Sequence, residues 1–293
     1  MSTDNDKSLH IVTSIIIVLS ILTSLIGLLY TTGGKAFDFV NQYGDSVKIY
    51  GDGTYARDSY FMAPISRGTD FTIICFAIPM LIVALILDAK KKTLKSRLFL
   101  MSVISVFTYY SASIAFGVTY NMLHLVYISL FSASLFGLII ATGSLDKKQV
   151  KESMGDALPY KGINIFLALT AIALIVAWLP DIISSLVTGR SLGLIEVYTT
   201  AVTYVLDMGV IAPASLICLF QLKKRSGMGY ILLGMLLTAC IVFGIMLPIQ
   251  TAFQVSAGIK LPLIAIVTKV ASFVILALFA LYFDIKLFKN MIN

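Results

Sequence analysis

The sequence predicts an all-α membrane protein, a bundle of eight transmembrane helices with a small folded loop outside the bilayer. Three observations predict this class: 58% of the 293 residues are hydrophobic, only 13% are charged, and the mean hydropathy is +0.94. A soluble domain carries charge on about a quarter of its residues. Soluble enzymes, disordered chains and disulfide-stapled secreted domains are therefore excluded.

The crossings are predicted from the lengths of the apolar runs. A helix needs about 20 mostly apolar residues to cross about 30 Å of hydrocarbon. Charged or turn-rich breaks separate eight such runs, at residues 9–30, 70–88, 98–117, 120–142, 163–187, 198–221, 230–248 and 263–283. The turn-like stretch 117–121 divides the third run from the fourth. We predict a single membrane domain over residues 1–293.

The distribution of lysine and arginine predicts the orientation, because loops rich in these residues stay on the cytoplasmic side. With the N-terminus inside, 15 of the 22 basic residues lie inside and six outside, which leaves Lys269 within the last helix. Both termini are thus predicted to be cytoplasmic, in a plasma-membrane protein. The formal charge of +7 then reflects topology and does not indicate nucleic-acid binding. The first run is long enough to be an uncleaved anchor.

Residues 31–69 form the longest predicted segment outside the membrane, and we call this segment the cap. Its glycines and aromatic residues are unlike a flexible linker. Residues 47–50 and 54–56, on either side of Gly51-Asp52-Gly53, predict a β-hairpin, because Asp-Gly favours the positive φ angles of a tight turn. The cap is interpreted as a lid or a surface for a protein partner. Alternatively, its aromatic residues merely sit among lipid headgroups.

Two charged residues stand out within the predicted membrane helices, where a charge costs several kcal/mol and is usually paired or functional. Asp207 lies 16 residues above Lys223, and Lys269 lies 17 residues above Lys286. At about 1.5 Å per residue both are at a similar depth in the outer part of the bilayer. A salt bridge between the sixth and eighth helices is therefore feasible. The alternative is that Lys269 extends to the interface while water reaches Asp207.

Polar side chains around Asp207 predict a cleft that opens outward. Thr203 and Tyr204 share its helix face, since they precede it by four and three residues. Tyr109 on the third helix and His124 on the fourth are further candidates for ligand binding, in a cleft between helices three, four, six and eight. The alternatives are that the hydroxyls serve helix packing and that His124 is a polar residue at the interface.

The sequence does not predict an enzyme, a metal site or a cofactor. It has two histidines at opposite membrane faces, three cysteines within helices, and neither a Gly-x-Ser-x-Gly nor a phosphate-binding loop motif. A retinal Schiff base at Lys269 is disfavoured because Ala265 stands where a carboxylate is wanted.

A faint repeat is present, because Asp70, Pro79 and Lys90 resemble Asp207, Pro213 and Lys223. This repeat predicts a duplication of four helices.

Two stretches carry a resemblance to a known family. Residues 49–60 (IYGDGTYARDSY) with 67–70 (RGTD), and residues 206–213 (LDMGVIAP), are similar to a family of uncharacterised bacterial and archaeal multi-pass membrane proteins. The resemblance implies that recurring motifs include Arg57, Asp58, Arg67, Asp70 and Asp207. It implies no activity. Four of these residues lie at or beyond the outer interface and are interpreted as ion pairs that hold the cap to the bundle: Arg57, Asp58, Arg67 and Asp70.

Two functions remain open. The protein binds or moves a small polar solute or ion through the outward cleft, with the cap as a lid. Alternatively, it is a membrane scaffold or sensor whose cap docks a protein partner, and the Asp207–Lys269 pair is structural. In both cases its surroundings are the lipid bilayer.

Overall fold

The computed structural model describes residues 3–155 and 157–292, without the side chains of residues 3–5, 265, 268 and 269. Within this part, seven helices are long and apolar enough to cross a membrane: Asp6–Leu29, Met62–Lys91, Leu94–Gly117, His124–Gly143, Tyr160–Thr188, Val202–Lys223 and Gly227–Ser256. A multi-pass helical bundle is thus confirmed. An eighth helical run follows at the C-terminus, and its crossing stays a prediction.

The elements follow one another in simple chain order. They are α1 (Thr3–Leu29), β1 (Phe37–Val40), β2 (Ser46–Ile49), a 3₁₀ turn (Gly53–Tyr55), α2 (Met62–Thr72), α3 (Ile78–Lys91), α4 (Leu94–Gly117), α5 (His124–Gly143), α6 (Lys147–Glu152), α7 (Tyr160–Thr188), α8 (Val202–Leu206), α9 (Ala212–Lys223), α10 (Gly227–Ser256), α11 (Leu263–Ala265) and α12 (Ser272–Asn290). π-Helical segments join α2 to α3 (Ile73–Ala77), α8 to α9 (Asp207–Ile211) and α11 to α12 (Ile266–Ala271).

Proline accounts for two of the π segments. Pro79 and Pro213 each follow a π segment by two residues and have no N–H for the carbonyl four positions earlier. The residue before each proline bonds five positions back instead, Ile78 to the carbonyl of Ile73 and Ala212 to that of Asp207. π Segments are frequent at functional sites. The first segment begins three residues after Asp70, the second begins at Asp207, and the third includes the backbone of Lys269.

The two halves of the bundle repeat the same local structures. Lys92 and Arg225 both adopt left-handed backbone conformations, and each immediately precedes the Ser or Thr that caps the next helix, Thr93 for α4 and Ser226 for α10. α4 packs against α5 as α10 packs against α12, and α4 and α10 contact each other at the centre. The ring of Tyr109 meets that of Phe243, 4.6 Å between centroids, where the halves join. These parallels support the predicted duplication.

Both ends of the described chain lie at the same end of the bundle. Near the N-terminus, Asp6 bonds to Arg97 at the start of α4. Near the C-terminus, the carbonyl of Asn290 accepts the N–H of Gly155, which follows α6. The basic segments before α4, in α6 and before α10 gather there, and the cap lies at the opposite end. We call these the basic end and the cap end.

The cap contains a β-hairpin, but its strands differ from those predicted. β1 pairs antiparallel with β2, so the predicted first strand is the second one. Asn41 makes the turn, because its side-chain oxygen accepts the N–H groups of Tyr43 and Asp45. Gly51-Asp52-Gly53 leads into the 3₁₀ turn instead. Its Asp52 carboxylate accepts the N–H groups of Thr32 and Gly33, which lowers the pKa of Asp52.

The second crossing begins eight residues earlier than predicted. α2 starts at Met62, with Pro64 in its first turn, where the missing N–H costs nothing. Two of its hydroxyl groups have hydrogen-bond partners within the bundle. Gln250 on α10 donates to Thr69, and the Thr72 hydroxyl donates to the carbonyl of Gly68. Asp70 is consequently inside a buried helix and not at its outer boundary.

Candidate functional site

The first polar cluster surrounds Asp207, which is 7% exposed. Tyr109 on α4 donates its hydroxyl to Oδ1 at 2.7 Å, and the indole N–H of Trp178 on α7 donates to Oδ2 at 2.9 Å. The ring of Tyr204 stacks on Trp178, with centroids 4.5 Å apart, and its hydroxyl donates to Asp181 at 2.7 Å. Two carboxylates therefore face one aromatic pair near the cap end.

The predicted residues are brought together only in part. Tyr109 bonds to Asp207, whereas Tyr204 bonds to Asp181 and stacks on Trp178. Thr203 is exposed, and His124 lies beside the ring of Tyr120 at 5.4 Å. The side chain of Lys269 lies outside the described residues, so its pairing with Asp207 stays a prediction.

The polar cluster around Asp207 includes residues of the fifth crossing, α7, where the prediction named the fourth crossing, α5. Trp178 and Asp181 on α7 close on Asp207, and neither was predicted. Trp178 and Asp181 are three residues apart, with Pro180 between them, in an otherwise apolar run. This spacing places both on one face of the helix, and it is the signal that would have identified them.

The second cluster surrounds Asp70, which is 1% exposed. Tyr55 of the cap donates its hydroxyl to Oδ2 at 2.6 Å, and the hydroxyl of Tyr110 on α4 donates to Oδ1 at 3.3 Å. Tyr110 also contacts the hydroxyl of Ser24 on α1 at 3.1 Å. The consecutive residues Tyr109 and Tyr110 thus bond to two different buried carboxylates from different faces of α4.

The four cap residues do not form the predicted set of ion pairs within the described part of the chain. Arg57 donates to the carbonyl of Tyr120 at 3.3 Å, and Arg67 donates to the hydroxyl of Tyr50 and the carbonyl of Leu28. Asp58 and Asp70 accept bonds from neutral groups. The four residues thus hold the cap to the bundle by hydrogen bonds to hydroxyls and backbone, and the two carboxylates are buried.

Asp58 connects three segments at the cap end. Its Oδ1 accepts the N–H of Thr119 at 3.1 Å and the hydroxyl of Tyr198 at 2.9 Å. Asp58 is 1% exposed, and its Oδ2 has no hydrogen-bond partner among the described residues. Burial raises the pKa of Asp58 from 3.8 to about 6, although these two bonds act in the opposite direction. Burial also raises the pKa values of Tyr198 and of Glu196, which accepts a short bond from Ser59.

A third polar cluster lies at the basic end, and it too was not predicted. Arg97 is fully buried, and its Nε lies 3.0 Å from both carboxylate oxygens of Asp88. Arg97 also bonds Asp6 at 2.7 Å and Ser144 at 3.0 Å, while the ring of His10 lies 2.8 Å from Asp88. Since a buried guanidinium lies between two carboxylates, we interpret this cluster as a structural junction of α1, α3, α4 and α5.

The described residues contain no group of three or more His, Cys, Asp or Glu side chains that is close enough to hold a metal ion. No protein-family model, curated protein or solved structure matches the chain. The class that the fold defines is that of multi-pass α-helical membrane proteins. The resemblance of the cap and Asp207 motifs to a membrane-protein family stays a prediction.

Proposed function

We propose that this protein binds a small polar solute or ion at Asp207 and moves it across the membrane from the cap end. One observation carries the proposal: a buried carboxylate begins a π segment in a membrane helix, and its described partners are the neutral groups of Tyr109 and Trp178. Neutral donors orient a carboxylate without cancelling its charge. Such a carboxylate favours a ligand that carries a positive charge or several hydrogen-bond donors.

The location of Asp207 fits an outward-facing site. It lies five residues after the start of α8, which is about 8 Å along the helix from the cap end. The stacked rings of Trp178 and Tyr204 form an apolar wall beside it, and Asp181 lies beyond. A few convergent polar groups against aromatic walls are typical of small-molecule sites.

We further infer eight crossings in the plasma membrane with both termini in the cytoplasm. Two features support this topology. The helical run from Leu263 to Asn290 is long enough to cross, and its packing on α10 parallels that of α5 on α4. The basic end holds both termini, and an excess of lysine and arginine is typical of cytoplasmic loops.

The test is a thermal-shift panel of ions, amino acids, sugars and nucleobases on the purified protein. We expect one solute class to raise the unfolding temperature of the wild type, and Asp207→Asn to abolish this effect. Asp284→Asn is the matched control, because Asp284 is another carboxylate in a helix, near the basic end. If no solute stabilises the wild type, or if both variants respond alike, the proposed site is wrong.

The same panel tests the predicted salt bridge. If Asp207 and Lys269 pair, Asp207→Asn alone leaves a buried charge and lowers stability by about 3 to 5 kcal/mol. The Asp207→Asn/Lys269→Met variant then recovers most of that loss. A double variant that folds well and no longer responds to solute separates a binding role from a purely structural one.

A scaffold or sensor function is the second candidate, and the surface of the cap favours it. Phe37, Phe39 and Val40 on β1 are 52%, 50% and 64% exposed, and β1 forms one edge of the two-stranded sheet. An exposed strand edge can pair with an extended segment of a partner. In this case, replacing Phe37 and Phe39 by serine should abolish binding of the protein partner and leave solute binding at Asp207 unchanged.

A further inference from the structure

Asp70 is a second buried carboxylate in a membrane helix, and the solute site does not use it. It lies three residues before the π segment Ile73–Ala77. Gly27 on α1 packs so closely that a Cβ there would overlap the carboxylate of Asp70 and approach the hydroxyl of Tyr55 to 2.9 Å. The pocket around this carboxylate is therefore tightly built.

The cap, α1, α4 and α5 each present a neutral group to Asp70 or lie near it with one. The cap contributes Tyr55, α1 contributes Ser24, α4 contributes Tyr110, and α5 contributes Tyr127. The charged neighbour is Arg67, one helical turn earlier, and it donates hydrogen bonds to the hydroxyl of Tyr50 and the carbonyl of Leu28. Among the described residues, no cation lies within ion-pair distance of Asp70.

A line of hydroxyl and carboxyl groups connects Asp70 with the cap end. The hydroxyl of Tyr55 donates to Asp70, and the hydroxyl of Tyr127, which accepts a bond from the side-chain amide of Asn121 at 3.4 Å, lies near that of Tyr55. Tyr127 also interacts electrostatically with Asp58, whose buried Oδ2 lacks a partner in the described structure. Hydroxyl groups can each accept one proton while donating their own. The line therefore suits proton movement, and it offers too few ligands for a metal ion.

We propose that Asp70 is a proton-binding site, and that protons reach it from the cap end through Asp58, Tyr127 and Tyr55. Asp58 takes up the proton at Oδ2. Tyr127 accepts it and passes its own hydroxyl proton to Tyr55, which passes its proton to Asp70. At the end Asp70 is neutral, both tyrosines are restored and Asp58 is ionised. A neutral Asp70 avoids the cost of an uncompensated charge in hydrocarbon.

Asp58 is suited to take up the proton because it lies at the cap end and interacts with few charged groups. The ionisable groups around it are Tyr198, Tyr127, Arg57 beside it in sequence, and Glu196, whose carboxylate is bonded to the neighbouring Ser59. The proposal for Asp70 stands without the solute site at Asp207, since the two carboxylates have different hydrogen-bond partners.

The test is infrared spectroscopy of the purified protein in lipid, recorded during pH titration and after pH jumps, without added solute. We expect a C=O band of a protonated carboxyl that Asp70→Asn removes and that Asp207→Asn leaves in place. After a pH jump, the band should respond about 100-fold more slowly in Tyr55→Phe and Asp58→Asn, the lower end of what a positioned proton donor contributes. Tyr60→Phe is the control, because Tyr60 is a cap tyrosine bonded to the carbonyl of Ala257.

Tyr55→Phe keeps the test decisive if Asp70→Asn does not fold. It retains the carboxyl of Asp70 and removes its closest donor, so the Asp70 band should shift in frequency. A band that neither variant changes means that Asp70 is ionised or is not the observed group, and the proposal is wrong. The proposal also fails if Tyr55→Phe and Asp58→Asn respond as fast as wild type.

Discussion

Asp58→Asn should make the protein more stable at neutral pH, although Asp58 is a fully buried residue with two hydrogen bonds. The Asn Oδ1 can keep the bonds from the Thr119 N–H and the Tyr198 hydroxyl. Its Nδ2 takes the place of the carboxylate oxygen that has no partner in the described structure. The Thr119 hydroxyl, also buried and without a described partner, can then accept a bond. The substitution therefore keeps the contacts and removes the buried charge.

The magnitude follows from the raised pKa of Asp58. A raised acid pKa means that the folded state binds the proton more tightly than the unfolded state does. The contribution of Asp58 to stability is therefore fully present below pH 3.8 and is lost as the pH rises through about 6. The rise in pKa corresponds to about 3 kcal/mol, at about 1.4 kcal/mol per pH unit. No discount for solvent screening applies, because Asp58 is buried.

The assay is the apparent unfolding temperature in one detergent from pH 4 to pH 8. We expect wild type and Asp58→Asn to coincide near pH 4, to separate between about pH 4 and pH 6, and to run parallel above that, where the variant is more stable by several degrees, at about 2 to 4 °C per kcal/mol. Asp38→Asn on exposed β1 is the control and should follow the wild type. If Asp58→Asn is less stable than wild type at pH 8, or if the two profiles are parallel all the way from pH 4 to pH 8, burial of an ionised Asp58 is not the cause.

Three further substitutions test the packing and the polar clusters. Gly27→Ala should lower the free energy of unfolding by about 1 to 3 kcal/mol because its methyl group overlaps Asp70, whereas Gly143→Ala, where space is open, should be neutral in the same denaturation assay. Arg97→Met should cost about 3 to 5 kcal/mol by stranding the buried Asp88, and adding Asp88→Asn should recover part of this in a double-mutant cycle. Tyr109→Phe keeps the contact with Phe243 but removes a bond to Asp207, so the solute-induced thermal shift should fall while the fold remains.

The bundle was predictable from sequence because hydrophobic length is the dominant constraint in a membrane. The second crossing shows the limit of that signal. Residues 62–69 include Pro64, Arg67 and Thr69 and read as a loop, yet they form a buried helix, because the cap and α10 supply partners that hydropathy does not record. The hairpin was misplaced for a related reason. Asp52 is used to bind the N–H groups of residues 32 and 33 and not to make a hairpin turn.

The candidate site was predictable where its residues share one helix and not where they meet across helices. Tyr204 and Asp207 follow from helical spacing, but Trp178 and Asp181 approach them from α7, and sequence spacing alone cannot identify a neighbouring helix. Arg57, Asp58, Arg67 and Asp70 were expected to form ion pairs because all four were predicted at or beyond the outer interface. Burial reversed that expectation, since it places Asp58 and Asp70 among hydroxyl groups.

The duplication gives the two buried carboxylates different surroundings, and this difference is the strongest argument that they have different tasks. The π segments and prolines of the second and sixth crossings are equivalent, yet Asp70 precedes its segment by three residues while Asp207 begins its own. Asp70 is enclosed by the cap and α1, with no room for a methyl group at Gly27. Asp207 faces the stacked rings of Trp178 and Tyr204, whose edges a solute can contact. We propose that the first surroundings suit a proton and the second a larger ligand, and the two carboxylates are bonded by the consecutive residues Tyr110 and Tyr109 of α4. Protonation of Asp70 should therefore change the solute affinity at Asp207, and Asp70→Asn should fix that affinity at its low-pH value.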